Sequence, residues 1–266
     1  MNTKICANMV SWQKPLILLN RKGLMSNIYK FEQDGLIGRL TLTRPDNGNM
    51  LTLQAAEQIA NVISEAGLNP NCNVIAVRGE GSDFCKGRDP HGAPEGKPST
   101  AIEMREALVE PLLSVYAAIR ASEVPVVTAV QGEVTGLGCG ITAISDITIA
   151  ADNAKFSTPE MRANLPPTLA MLAHLDRIPP KALMHMVYST STIDAQRAVS
   201  IGLVSDVVAL SQLEISMESL LNRISNYERP SIVTCKKYLQ RAKQVDYQNA
   251  NDLAGNMLAV VLSSRK

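Results

Sequence analysis

At 266 residues the chain can bury one large core, or a core with a terminal appendage. Its 45% hydrophobic and 19% charged content excludes disorder, and 26 basic against 25 acidic residues, net +1, give no sign of a surface built for nucleic acid or a lipid headgroup layer. Five scattered cysteines without a CxxC pair and three histidines without an HExxH pattern argue against a disulfide framework and a metal centre, and point to a reducing, cytoplasmic setting.

No apolar stretch reaches the roughly 18 uncharged residues that a spanning helix needs. Residues 1–24 read as a non-core extension. Trp12, the only tryptophan, lies in a stretch too short for a secretory core and followed by Arg21 and Lys22, and Met25 is the expected natural start.

Two β-like runs follow, Ile28 to Phe31 and Leu36 to Thr43, separated by the hairpin signal Gln33-Asp34-Gly35. Pro45 to Gly48 breaks the chain. Thr52 is positioned to cap a helix reaching about Ala66, with apolar residues at Ala55, Ile59, Val62, Ile63 and Ala66. Val74 to Val77 reads as a buried strand, 79–98 as a loop, and Thr100 to Ala121 as one long amphipathic helix. Val126 to Val130 and Ile147 to Ala151 are short apolar strands. This alternation predicts parallel crossovers in an α/β layered core over residues 25–200. Beyond Pro159 the pattern turns helical, over 168–176, 180–189, 194–200, 211–227, 230–244 and 247–263, with one apolar break at Leu203 to Val208. Residues 201–266 form the expected helical C-terminal region.

The chemistry concentrates in residues 125–160. The strand Val126 to Val130 enters a turn carrying Gly132, Gly136, Gly138 and Gly140, and a small-residue helix follows. Free backbone N–H groups at such a helix start bind an anion or a developing oxyanion. Glu160 supplies a carboxylate nearby. Together they suggest proton transfer on a carbonyl compound.

Four segments resemble signatures of the crotonase superfamily, the enoyl-CoA hydratase/isomerase proteins. Gly79 to Asp89 (GEGSDFCKGRD) is similar to its first loop, Pro125 to Ala151 to its Gly-rich turn, Phe156 to Glu160 (FSTPE) to its third signature, and Ala195 to Val204 (AQRAVSIGLV) to its later Gly-Leu-Val element. The resemblance spans roughly residues 27–245. It implies a spiral of β-β-α units with a helical C-terminal trimerisation region, a homotrimer or hexamer, and a place in fatty acid metabolism. It further implies an oxyanion hole for an acyl-CoA thioester, made by the N–H groups of Arg88 and Leu137, with Glu160 as the proton-transfer base. Lys86, Gly87, Asp89, Gly136, Gly138 and Gly140 then line the substrate site. Coenzyme A enters as part of the substrate, and no cofactor or metal is implied.

One departure decides the expected reaction. Hydratases of the superfamily use two glutamates; one matches Glu160, and the other falls on Gly140. A double-bond shift from position 3 to position 2 needs one base, so an isomerase is favoured over a hydratase, a lyase reaction. Hydrolysis, decarboxylation or another enolate reaction on an unusual acyl-CoA is the alternative, and a non-catalytic acyl-CoA-binding scaffold is the rival from outside enzymology. Gly136-Leu137-Gly138-Cys139-Gly140 read as a dinucleotide turn lacks the final Gly spacing and the downstream acid. Around the site, Glu133 and His91 read as solvated, Cys85 and Cys139 as packing residues, and Lys236 and Lys237 as a solvated helix face that the superfamily sometimes turns to the phosphates of CoA. Two further departures are the Asn164-Leu165-Pro166-Pro167 stretch where a Gly-rich segment is usual, and the end at Lys266 without the usual Glu-Gly-x-x-Ala-Phe.

Overall fold

The computed structural model describes residues 24–91 and 98–265. Residues 1–23 of the expected extension lie outside the described residues; its last position, Leu24, pairs with Phe31, and Met25, the expected start, pairs with Lys30.

A seven-stranded sheet forms the core. Its antiparallel edge is β1 (Leu24–Met25), β2 (Tyr29–Asp34) and β3 (Ile37–Leu42), the hairpin the sequence announces at Gly35, where φ is 56°. Helix α1 (Leu53–Leu68) crosses over to β4 (Val74–Gly79), which pairs parallel to β3 in the register Ile37↔Val74. The Thr52 side chain accepts from Ala55 N at 3.1 Å, and Ala56, Ile59, Ala60, Ile63 and Ala66 bury one face of α1.

The expected helix over 100–121 is present but carries a π-helical turn within it. A capping box of Thr100 and Glu103 starts α2 (Ala101–Met104), a π-helical turn spans Arg105–Val109, and α3 (Glu110–Ala121) follows, with Pro111 near its start. Pro111 has no N–H to give to an α ladder, and this fits a register change just before it. Helix α3 packs along α1 and leads to β5 (Val126–Val130), parallel to β4.

A second, three-stranded sheet interrupts the first. Strand β6 (Glu133–Thr135) comes before α4 (Leu137–Ile144) and β7 (Ile147–Ala151), and β8 (Lys155–Ser157) follows. β7 continues the large sheet beside β5, whereas β8 runs parallel to β6.

Helices α5 (Thr168–His174) and α6 (Pro180–Ser189) lead to β9 (Ile193–Asp194), which closes the small sheet, and to α7 (Ala195–Ser200). The apolar break at Leu203 to Val208 contains β10 (Asp206–Val208), which adds to the large sheet parallel to β7. The chain ends in α8 (Leu213–Ser225), α9 (Arg229–Ala242) and α10 (Tyr247–Ser264). No helix of the described residues is long and apolar enough to cross a membrane.

Lys236 departs from the expected solvated face. It is buried on α9, and its ammonium donates to Ile119 O, Val124 O and the Asp146 carboxylate at 3.0, 3.1 and 2.7 Å. Three acceptors match its three protons, which is how an ammonium withstands burial. Lys237 pairs instead with Glu123 at 2.7 Å.

Candidate active site

The site forms where two parallel strands of the small sheet end together. Thr135 lies opposite Ser157, and Gly136 N donates to Ser157 O at 3.0 Å. The residues after β6 start α4, and those after β8 are Thr158, Pro159 and Glu160, so the register places Glu160 against the Gly-rich turn. A Cβ added to Gly136 would sit 2.8 Å from Glu160 Oε1. Gly136 also holds φ 53° and ψ −112°, a conformation that L side chains rarely adopt, so glycine is required twice over.

The first donor loop is docked on the same strand. Cys85 N donates to Glu133 O, and Thr135 N to Cys85 O. Asn49 is fully buried at φ 53°, and its amide donates to Glu80 O and Asp83 O at 2.9 and 2.8 Å. Gln131 donates to Gly79 O and Gly81 O. Glu133 N and the ammonium of Lys86 both reach the Asp83 carboxylate. Leu51 then pins both sides of Arg88, donating to Gly87 O at 3.0 Å and accepting from Asp89 N at 2.8 Å. Alternation along an extended chain turns the Arg88 N–H away from Leu51.

The two loops touch at glycines. A Cβ on Gly87, where φ is 104°, would lie 3.2 Å from Thr135 O and 3.7 Å from Leu137 N; one on Gly138 would run into the Cys85 carbonyl. Leu137 is the first residue of α4, so its N–H has no acceptor within the helix. Neither the Arg88 nor the Leu137 N–H donates to a backbone carbonyl among the described residues. The structure thus brings Arg88, Gly87, Gly136, Leu137, Gly138, Gly140 and Glu160 to one place. Lys86 is exposed, its side chain lying over Gly48 with the ammonium on Asp83. Asp89 is buried, with its carboxylate occupied by Arg44 at 3.0 Å, Asn47 at 3.1 Å and the His91 backbone N–H at 2.9 Å, which makes it a brace of the loop. His91 projects its ring outward. Glu133 is exposed, and Cys85 and Cys139 are fully buried, as the sequence suggests.

Glu160 begins a 3₁₀ turn, Glu160–Ala163. Its Oε2 is buried without a hydrogen-bond partner, and burial raises the carboxyl's pKa above its ordinary range. Thr158 Oγ1 is likewise buried and unpartnered. A half-buried carboxylate with unused capacity beside two free peptide donors can move a proton on a substrate whose oxygen those donors hold.

Three contributors escape reading from sequence alone. Asn49 and Gln131 set the first loop through side chain to backbone bonds about 30 to 50 residues long in sequence. Tyr116 comes from α3, and its hydroxyl stands where a Cβ on Gly140 would be. The positive φ needed at Asn49 was a usable local signal, because Asn tolerates it; nothing local marks Tyr116.

The family model described as Enoyl-CoA hydratase/isomerase matches residues 32–265. The chain is 30% identical over 207 residues to a probable enoyl-CoA hydratase of Mycobacterium leprae, covering 77% of this chain and 78% of that protein. It is 28% identical over 211 residues to the 2,3-dehydroadipyl-CoA hydratase of Escherichia coli, covering 79% and 80%. The crystal structure of human enoyl Coenzyme A hydratase domain-containing protein 3 superposes with a TM-score of 0.83 at 25% identity, covering 90% of this chain and 93% of that one.

Proposed function

The chain belongs to the enoyl-CoA hydratase/isomerase family, and from that premise we propose that it shifts the double bond of a 3-enoyl-CoA to position 2, with Glu160 as its single proton-carrying carboxylate. The observation that carries this reading is the contrast between positions 160 and 140. Glu160 is a half-buried glutamate whose Oε2 is buried and unpartnered, and position 140 is a glycine whose side-chain space is already filled by Tyr116.

The thioester carbonyl accepts from the N–H groups of Arg88 and Leu137. Glu160 removes a proton from C2, and the electron pair moves toward the thioester oxygen, where the two donors hold the enolate. The double bond then forms between C2 and C3 as the carboxylic acid returns the proton to C4. The proton lost is the proton regained, so no water and no second acid enter. Each donor contributes on the order of 3 kcal/mol by comparison with oxyanion holes of acyl-transfer enzymes.

Hydration asks for more. A water must be held and stripped of a proton while another group protonates C2, and a second carboxylate at position 140 has no room. The relatives named as hydratases keep hydration as the second reading. Coenzyme A thioesters are the proposed substrates, and the apolar residues exposed on α10, Leu258, Val260 and Leu262, fit the trimer or hexamer proposed for the chain.

The test sets a 3-enoyl-CoA beside a 2-enoyl-CoA with the purified protein. The reading predicts conversion of the first and little hydration of the second. Hydration at a rate equal to or above isomerisation would replace it with the second reading.

A further inference from the structure

The first turn of α4 offers a bare face. Gly136 and Gly140 are four residues apart, joined by the bond from Gly140 N to Gly136 O at 2.9 Å, so they sit one above the other on the helix. Over Gly136 lies the carboxylate of Glu160, 2.8 Å from the place of a Cβ. Over Gly140 lies the phenol of Tyr116, whose oxygen would clash with a Cβ there and whose Cζ is 2.5 Å from its place. Positions so related are neighbours, about 5–6 Å apart at Cβ, so the phenol and the carboxylate occupy adjoining places on one helix face.

Both groups have hydrogen-bonding capacity to spare. Glu160 Oε2 has no partner. The Tyr116 hydroxyl is buried and reaches only Leu137 O, at 3.5 Å, the long limit for such a bond. Two polar groups with buried, under-used oxygens on one helix face call for a common explanation.

We propose that Tyr116 is the positioning residue of Glu160: its neutral hydroxyl takes the place of a side chain at position 140 and donates across the Gly136–Gly140 face toward the Glu160 carboxylate. This rests on the reading of Glu160 as the proton carrier. The hydroxyl stabilises the ionised carboxylate that must accept the C2 proton, and its bulk excludes a second carboxylate. Three other titratable groups lie around the pair. Burial pushes the Cys85 thiol to about 12 and the Cys139 thiol higher, so both are neutral. His174, 3.5 Å from Cys139 Sγ, is held neutral by burial and points Nδ1 at Ala170 O. Tyr116 itself is kept protonated, with a pKa raised well above 10 by burial and by the negative charge of Glu160. Tyr116 is therefore a donor at every working pH and never the base.

Tyr116→Phe removes the hydroxyl and keeps the ring. The expected result is a roughly 10-fold lower kcat at neutral pH with KM within about 3-fold, and an acidic limb of the pH profile moved up by about one pH unit. The Glu160 carboxyl band, isolated by infrared difference against Glu160→Gln in each background, titrates correspondingly higher in Tyr116→Phe. A purely structural tyrosine would lower the melting temperature and leave that band in place. An unchanged carboxyl titration in Tyr116→Phe overturns the proposal, whatever the turnover. Because the band is read without substrate, this failure is distinct from failure of the Glu160 reading, which shows as full turnover in Glu160→Gln.

Discussion

The chemistry at residue scale is arranged by what glycine omits. Gly136 leaves room for the Glu160 carboxylate and Gly140 for the Tyr116 phenol, while Gly138 lets the helix meet the Cys85 carbonyl. Gly136→Ala adds a methyl 2.8 Å from Glu160 Oε1 at a backbone angle that disfavours any side chain. It is expected to cost roughly 1–3 kcal/mol of stability, and to lower kcat by pushing the carboxylate off its line; calorimetry and steady-state kinetics check both. Burial of Glu160 has a cost with a definite sign. Its folded pKa is raised, so the folded state holds the proton more tightly than the unfolded chain, and stability falls as pH rises from the unfolded through the folded pKa. With Glu160 as the proposed base, activity is expected to be lost on acidification earlier than for an exposed glutamate, which a pH–rate profile checks.

At the scale of elements, the ends of strands and the start of one helix make the site. β6 and β8 run parallel and stop together, which sets Gly136 beside Glu160, and α4 begins with the free N–H of Leu137. Proline is tolerated at the first position of a helix, where its missing N–H costs the helix nothing. Leu137→Pro is thus expected to keep the fold while lowering kcat about 100- to 1000-fold, the loss typical of one oxyanion donor. A circular dichroism spectrum with unchanged helix content, measured beside the rate, separates this from unfolding. Much of this scale was legible in the sequence. The hairpin at Gly35, the Thr52 cap, β4, β5, β7 and the C-terminal helices follow from periodicity and punctuation. The small sheet was not, because Glu133–Thr135 and Lys155–Ser157 are three residues each and too short for a period. The π-helical turn at Arg105–Val109 was hidden because helical spacing continues through it. The four signatures pointed to Arg88, Leu137 and Glu160, but Tyr116 met Gly140 only through the packing of α3 on α4, which no local pattern records.

For the molecule as a whole, the large sheet, the small sheet and the C-terminal helices serve one end of the fold. Lys236 ties α9 to the last turn of α3, to Val124 ahead of β5 and to Asp146 ahead of β7, so the helical region holds the floor of the sheet whose far ends lead to the proposed donors. In the proposed reaction this scaffold presents a thioester oxygen to two peptide donors and its C2 proton to Glu160 alone. The most direct measurement is Glu160→Gln, comparing affinity for a CoA thioester with turnover of the 3-enoyl-CoA. The amide keeps size and loses basicity, so turnover should fall to background while affinity stays within about 3-fold, the signature of a group that acts on the transition state. Retained turnover in Glu160→Gln would contradict Glu160 as the proton carrier and move that role to another residue.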